Sequence, residues 1–189
     1  MYNWNTQYRI IDNFLSDKDF KLCQDYFKYL EDNRADSSVG WYREQNNIIV
    51  NKHGRIIDYV TPTPFIFELF IKYNHKLEDA LEELATERKK DYARSTVEFV
   101  SSRTGLKWEI HPDVSEKLLS AVLYVSPKVN TGTILYKDKN GLDPYEVEWK
   151  ENRCLIFCQT NDSWHSYQNT HEETRNTISW NLRSSKDNY

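Results

Sequence analysis

Clustered positive charge, long apolar runs and paired cysteines are all missing from this 189-residue chain. Lys and Arg number 25 against 29 Asp and Glu, so the net charge is -4 and it is spread along the sequence. Without a basic block or stripe to neutralise phosphates, no nucleic-acid partner is indicated. No apolar run approaches the ~20 residues that span a bilayer. Met1–Asn5 also lacks a positively charged start leading into an apolar core. The expectation is a soluble, unexported, cytoplasmic protein with no membrane association. Cys23, Cys154 and Cys158 are an odd number in a chain long enough to fold without disulfide staples, which fits a reducing compartment and plain core packing. Repeats, low-complexity segments and dividing linkers are absent too. One domain over residues 1–189 is therefore expected, able to bury roughly 70% of its unfolded surface.

What is present changes character near residue 95. Tyr8–Phe14 reads as a short edge strand, and Ser16 as the N-cap of a helix with Asp17 and Asp19 in its first turn and Phe20, Cys23, Phe27 and Leu30 on one face. Trp41–Val50 and Arg55–Val60 are β-rich and flank Asn51–Gly54, a predicted hairpin turn that holds His53. Pro62 and Pro64 precede one long helix or two, with Phe65, Leu69, Tyr73, Leu77, Leu81 and Leu84 in register and Glu87–Lys90 on the solvated side. After Ser95 the pattern is β throughout. Seven strands are predicted, at 97–100, 106–111, 119–125, 133–136, 145–149, 154–158 and 177–182, separated by Gly, Pro and Asn turns. The class is α+β, with helices and a hairpin in residues 1–94 supporting a sandwich or jelly-roll core in 95–183.

The chemistry gathers in the second half. His111 and Asp113 stand two apart at the end of a predicted strand, so both side chains project from one face, and Pro112 biases His111 toward extended backbone. A second imidazole from a distant strand would complete a 2-His-1-carboxylate set with open positions, which suits non-heme Fe(II). An exposed strand end with a capping aspartate is the competing reading, and with five histidines a lone His-x-Asp is easily met by chance. His165 follows four intervening strands, at the end of the segment carrying Phe157; a rolled sandwich can bring it back beside His111. Trp164 and Tyr167 flank it and could exclude water, or it is simply an aromatic-packed core histidine. Arg175 opens the last strand, with Thr177 on the same face. If it points inward it needs a carboxylate, and a guanidinium fork beside a hydroxyl suits a bound dicarboxylate; otherwise it faces water.

These residues together resemble the Fe(II)- and 2-oxoglutarate-dependent oxygenases, in their prolyl 4-hydroxylase-like branch. The resemblance runs from about Val97 to Leu182 through His111-Pro112-Asp113, Leu123-Tyr124-Val125, Gly132-Thr133-Ile134-Leu135, Asn152–Phe157, Trp164-His165 and Arg175-Asn176-Thr177, and more faintly through Ile10–Ser16. It implies a double-stranded β-helix, cupin-like, with the N-terminal helices packed on its major sheet. It also implies that His111, Asp113 and His165 bind Fe(II). Arg175 would pair with the distal carboxylate of 2-oxoglutarate, aided by Thr177, and the Tyr124 hydroxyl would touch the same cosubstrate. The implied reaction consumes O2, with ascorbate as a supporting reductant, hydroxylates an unactivated C–H and releases succinate and CO2. A prolyl or similar residue in a peptide or protein is the favoured substrate, followed by a free amino acid or small metabolite. Asp113 favours hydroxylation, because halogenating relatives lack a carboxylate there. Thr131-Gly132-Thr133 departs from the pair of glycines common at that point and predicts a differently shaped loop. Trp41, Tyr42 and Arg43 read either as part of a substrate flap or as ordinary packing. Two further readings stay open: a non-catalytic jelly roll that holds metal and an organic acid, and a structural protein without a site.

Overall fold

The computed structural model describes residues 6–33, 41–50, 56–60 and 64–185, with 41–50 and 56–60 described by backbone alone. The predicted turn at Asn51–Gly54 with His53, the N-terminal Met1–Asn5 and Pro62 lie outside the described residues, as do the side chains of Trp41, Tyr42 and Arg43. In chain order the elements are β1 (Tyr8–Ile11), α1 (Asp17–Asp32), β2 (Trp41–Val50), β3 (Ile56–Val60), α2 (Pro64–Ala85), a 3-10 segment (Thr86–Asp91) and β4 (Tyr92–Ser102). Then come β5 (Lys107–His111), β6 (Lys117–Ser126), β7 (Ile134–Leu135), β8 (Tyr145–Glu146), β9 (Cys154–Cys158), β10 (His165–Gln168) and β11 (Arg175–Ser184).

All pairings are antiparallel and form two sheets. The larger runs β1-β9-β6-β11-β4-β2-β3 and the smaller β5-β10-β7-β8. Four central strands of the first face the four of the second, giving the double-stranded β-helix. The N-terminal hairpin extends the major sheet beyond β4, with Trp41 in register with Ser102. Period-two alternation decides what each strand shows to either side. On β6, Leu119, Ala121, Leu123 and Val125 join Cys154, Ile156 and Cys158 of β9 and Ile178, Trp180 and Leu182 of β11 in the core beneath the helices. The opposite faces send Tyr124, Leu155 and Phe157 into a second, smaller core with Leu135, Val147 and Trp149 between the sheets. Full burial of each such aliphatic or aromatic chain is worth roughly 1.5–3 kcal/mol.

Both helices lie on the major sheet, as their apolar spacing requires. Ser16 caps α1 by accepting from the Asp19 amide, and Cys23, Phe27 and Leu30 are buried. The second helical region is one helix, with Leu69, Tyr73, Leu77 and Leu81 inward. Glu87–Lys90 is not wholly a solvated face. Arg88 folds back to donate to the Gln159 carbonyl and, at 3.3 Å, to that of Lys117, tying the 3-10 segment to the end of the roll where the chain passes the candidate site. The strands predicted at Tyr8–Phe14, Trp41–Val50 and Arg55–Val60 form as β1, β2 and β3, all seven predicted after Ser95 form, and β10 is an eighth there. His165 does not end the Phe157 segment; it opens its own four-residue strand, too short and polar for alternation to reveal. All three cysteines are free and buried, which pushes their thiol pKa values up, for Cys158 to about 11. No helix among the described residues is long and apolar enough to cross a membrane.

Candidate metal centre

Strand pairing assembles the centre. β10 lies between β5 and β7, and His165 is the direct cross-strand partner of His111, so the two imidazoles share a face with ring centroids 4.4 Å apart. A bulge between His165 and Tyr167 kinks the strand at this point. Asp113 sits two residues beyond His111, where the chain leaves β5 and turns into β6. The donor atoms of His111, Asp113 and His165 all lie within 4.8 Å of one another, a spacing that one cation can bridge.

Hydrogen bonds set the tautomers. His165 Nδ1 lies 2.9 Å from the Ser163 carbonyl and His111 Nδ1 lies 2.8 Å from the Glu109 carbonyl, so in the neutral rings each Nδ1 carries the proton and each Nε2 keeps its lone pair. The indole of Trp108 donates to His111 Nε2 at 3.1 Å, which only a lone pair there allows. Burial lowers the His165 pKa to about 4, keeping the ring in its neutral, ligating form. Burial alone would raise Asp113, but the Lys117 ammonium and His165 hold it below the usual carboxylate value. Its oxygens accept from Lys117 Nζ at 2.6 Å and Ser120 Oγ at 2.5 Å. The carboxylate is only 7% exposed. Two neutral imidazoles and an ionised carboxylate fit a divalent first-row metal.

The three open into a cavity of about 310 Å³ between the sheets, which Arg175 and Thr177 of β11 also line. Arg175 is 1% exposed and forms no ion pair among the described residues. Its Nε donates to the Thr131 carbonyl at 3.2 Å, and its Nη2 is buried without a hydrogen-bond partner. Three rings surround the guanidinium: Tyr167 at 4.2 Å, Trp149 at 5.2 Å and Tyr124 at 5.7 Å. Burial accordingly pulls its pKa down from the usual arginine value. Tyr124 is also fully buried, stacked on Trp149, and its hydroxyl accepts from the Thr133 amide at 2.9 Å. It stands behind the cavity wall, under Arg175.

No protein-family model and no curated protein sequence matches this chain. Solved structures do. A Pseudomonas putida prolyl-4-hydroxylase superposes with a TM-score of 0.69 at 12% identity, over 96% of this chain and 95% of that one. The fold is that of the 2-oxoglutarate/Fe(II) oxygenases. A prolyl hydroxylase from Trichoplax adhaerens, complexed with a peptide fragment of the hypoxia inducible factor oxygen degradation domain, has a TM-score of 0.57 at 18% identity over 94% and 83%. Dioxygenase for auxin oxidation 1 from Arabidopsis thaliana, in a 2-oxoglutarate complex, has a TM-score of 0.60 at 12% identity over 97% and 85%.

Within this fold several cavity residues escaped the sequence reading. Lys117 and Ser120 bind Asp113 from β6, yet in sequence they belong to an ordinary strand start. Phe157, not Trp164, packs on His165, with ring centroids 4.8 Å apart, and Tyr167 lies under Arg175. Trp108 was legible only as a neighbour of the motif. Gly132 has a packing role: a Cβ there would collide with the Val147 carbonyl, so the loop is pressed against the chain after β8. The single glycine does the work there, and Thr131 beside it lends its carbonyl to Arg175.

Proposed function

We propose that this chain is an Fe(II)- and 2-oxoglutarate-dependent dioxygenase that hydroxylates an unactivated C–H. Its favoured substrate is a prolyl or similar residue in a peptide or protein. One observation carries the reading: a fully buried guanidinium with an unpaired Nη2 lies in the same cavity as the His111, Asp113 and His165 donors. A desolvated charge needs a partner, and a dicarboxylate that also reaches the metal supplies one. In this reading His111 and His165 present Nε2 and Asp113 a carboxylate oxygen to iron. Arg175 holds the distal carboxylate of 2-oxoglutarate and Thr177 offers its hydroxyl beside it. The Tyr124 hydroxyl accepts from the Thr133 amide and keeps its own O–H to donate to the cosubstrate. Phe157 and Tyr167 keep water from the inner wall. Iron, when bound with 2-oxoglutarate, supplies the activation of O2 that yields succinate, CO2 and a hydroxylated product.

The peptide preference draws support from the peptide held by the Trichoplax adhaerens enzyme. The auxin-oxidising neighbour keeps a small-molecule substrate as the second reading. The test is succinate release by the purified chain with Fe(II), ascorbate, 2-oxoglutarate and O2, joined to a mass-spectrometric search for +16 products in peptide and metabolite pools. Succinate is expected and should vanish in His111→Ala. Metal and 2-oxoglutarate binding with no succinate would reduce the protein to a binding module. Metal affinity absent, or undiminished in His111→Ala, would leave a structural protein without the site.

A further inference from the structure

The cavity contains a second arginine for which the iron and cosubstrate reading has no use. Arg183 lies on β11 eight residues after Arg175 and lines the same cavity, roughly 26 Å farther along the strand by its rise. Its Nε is buried without a hydrogen-bond partner. It is the cross-strand partner of Lys117, whose ammonium also lines the cavity and already bonds the Asp113 carboxylate at 2.6 Å. The distal carboxylate of 2-oxoglutarate, drawn to Arg175 at the other end of the strand, cannot serve both guanidiniums. Glu98, the other acid on the wall, stands on the rung of Ser179, four residues down the strand and roughly 13 Å away by strand rise. Of the exposed apolar residues on the wall, Val114 follows Asp113 directly and is 54% exposed, whereas Trp108 stands on the rung of Tyr167, beside Arg175.

We propose that Arg183 is a substrate-binding residue that receives a carboxylate of the substrate, so that the molecule oxidised is an acid. The proposal rests on the dioxygenase reading and extends it to substrate class. Arg183 stands across the strand pair from Lys117, the residue that bonds Asp113, and its guanidinium offers a planar fork to receive a carboxylate there. The carboxylate can belong to an acidic side chain in a peptide or to a small acid.

Two matched probe pairs separate these sources. Acetyl-Glu-Pro-Ala-amide against acetyl-Gln-Pro-Ala-amide changes only a side-chain charge; L-proline against L-prolinamide changes only the free carboxylate. Each is titrated by anaerobic calorimetry into the full chain with Mn(II) and saturating 2-oxoglutarate, which keeps Arg175 engaged. In one pair the acid should bind at least tenfold tighter than its amide. That ratio should fall close to one in Arg183→Gln and recover in part in Arg183→Lys, with circular dichroism and thermal unfolding certifying both folds. Absence of acid preference in both pairs overturns the proposal, as does a preference that survives Arg183→Gln. Succinate release by the unaltered protein judges the dioxygenase reading separately, so either can fail alone.

Discussion

Replacing Arg175 with methionine should have two opposite effects. In the free protein the guanidinium is buried, has one hydrogen bond and leaves Nη2 unpaired. Its compensation is the aromatic cage of Tyr167, Trp149 and Tyr124. Cation–π contacts are worth about 0.5–2 kcal/mol each and weaken with distance, so Tyr167 at 4.2 Å dominates. Burying a charge without a counterion costs several kcal/mol, and replacing buried ionic groups by apolar ones of similar volume is often neutral or stabilising by about 1–4 kcal/mol. Desolvation wins this comparison. Arg175→Met should therefore leave the metal-free protein as stable as the parent or up to about 3 kcal/mol more so in urea unfolding with chelator present. With Mn(II) and 2-oxoglutarate the order reverses. Loss of a charge-assisted fork of about 3–5 kcal/mol should weaken the cosubstrate by roughly 10²–10⁴-fold in calorimetry. At one hundred times its Kd, 2-oxoglutarate should stabilise the parent by about 2.7 kcal/mol and the variant hardly at all. Mn(II) affinity should stay unchanged. A variant destabilised by several kcal/mol that still bound 2-oxoglutarate normally would show Arg175 to be a structural cation, and the reasoning would fail.

Three further outcomes are expected. His165 is held neutral by burial, with its pKa near 4 against 6.5 unfolded, so between those values the unfolded chain binds more protons and stability falls as pH falls. Metal-free protein should lose roughly 2 kcal/mol between pH 7 and pH 5, and His165→Gln should abolish that share of the slope in urea midpoints. Because Trp108 donates to the His111 Nε2 lone pair, a metal must displace it. Zn(II) should alter tryptophan emission, Trp108→Phe should remove the change, and metal should bind that variant about fivefold tighter for one lost hydrogen bond of ~1 kcal/mol; an identical spectral response would refute the displacement. Gly132→Ala should destabilise by several kcal/mol, since backbone and not a flexible side chain opposes the new Cβ. A midpoint within error of the parent would show that the loop yields freely.

Local pattern was enough to read the class, both helices and ten of the eleven strands among the described residues, because amphipathic spacing and turn chemistry act over a few residues. The strand-end pair His111 and Asp113 was also legible, since a two-residue offset sets a shared face whatever surrounds it. Ser16 could be read as a cap for the same reason: its partner is three residues away. Tertiary structure decided everything that depends on which strands meet. The β10 to β5 pairing alone puts His165 opposite His111, and a four-residue polar strand has no core-facing pattern to announce it. Whether Arg175 faced water or the interior was open in the sequence; β11, held between β6 and β4, turns it inward among three rings. Lys117 and Arg183 became neighbours by register across β6 and β11, and a cation's burial is invisible until the opposing sheet covers it. The sequence by itself determined which groups the chain carries and which side of its own strand each one takes. Only the closing of one sheet over the other decided which of those groups share a dry cavity, because desolvation and ligand geometry belong to the space between strands and not to any one of them.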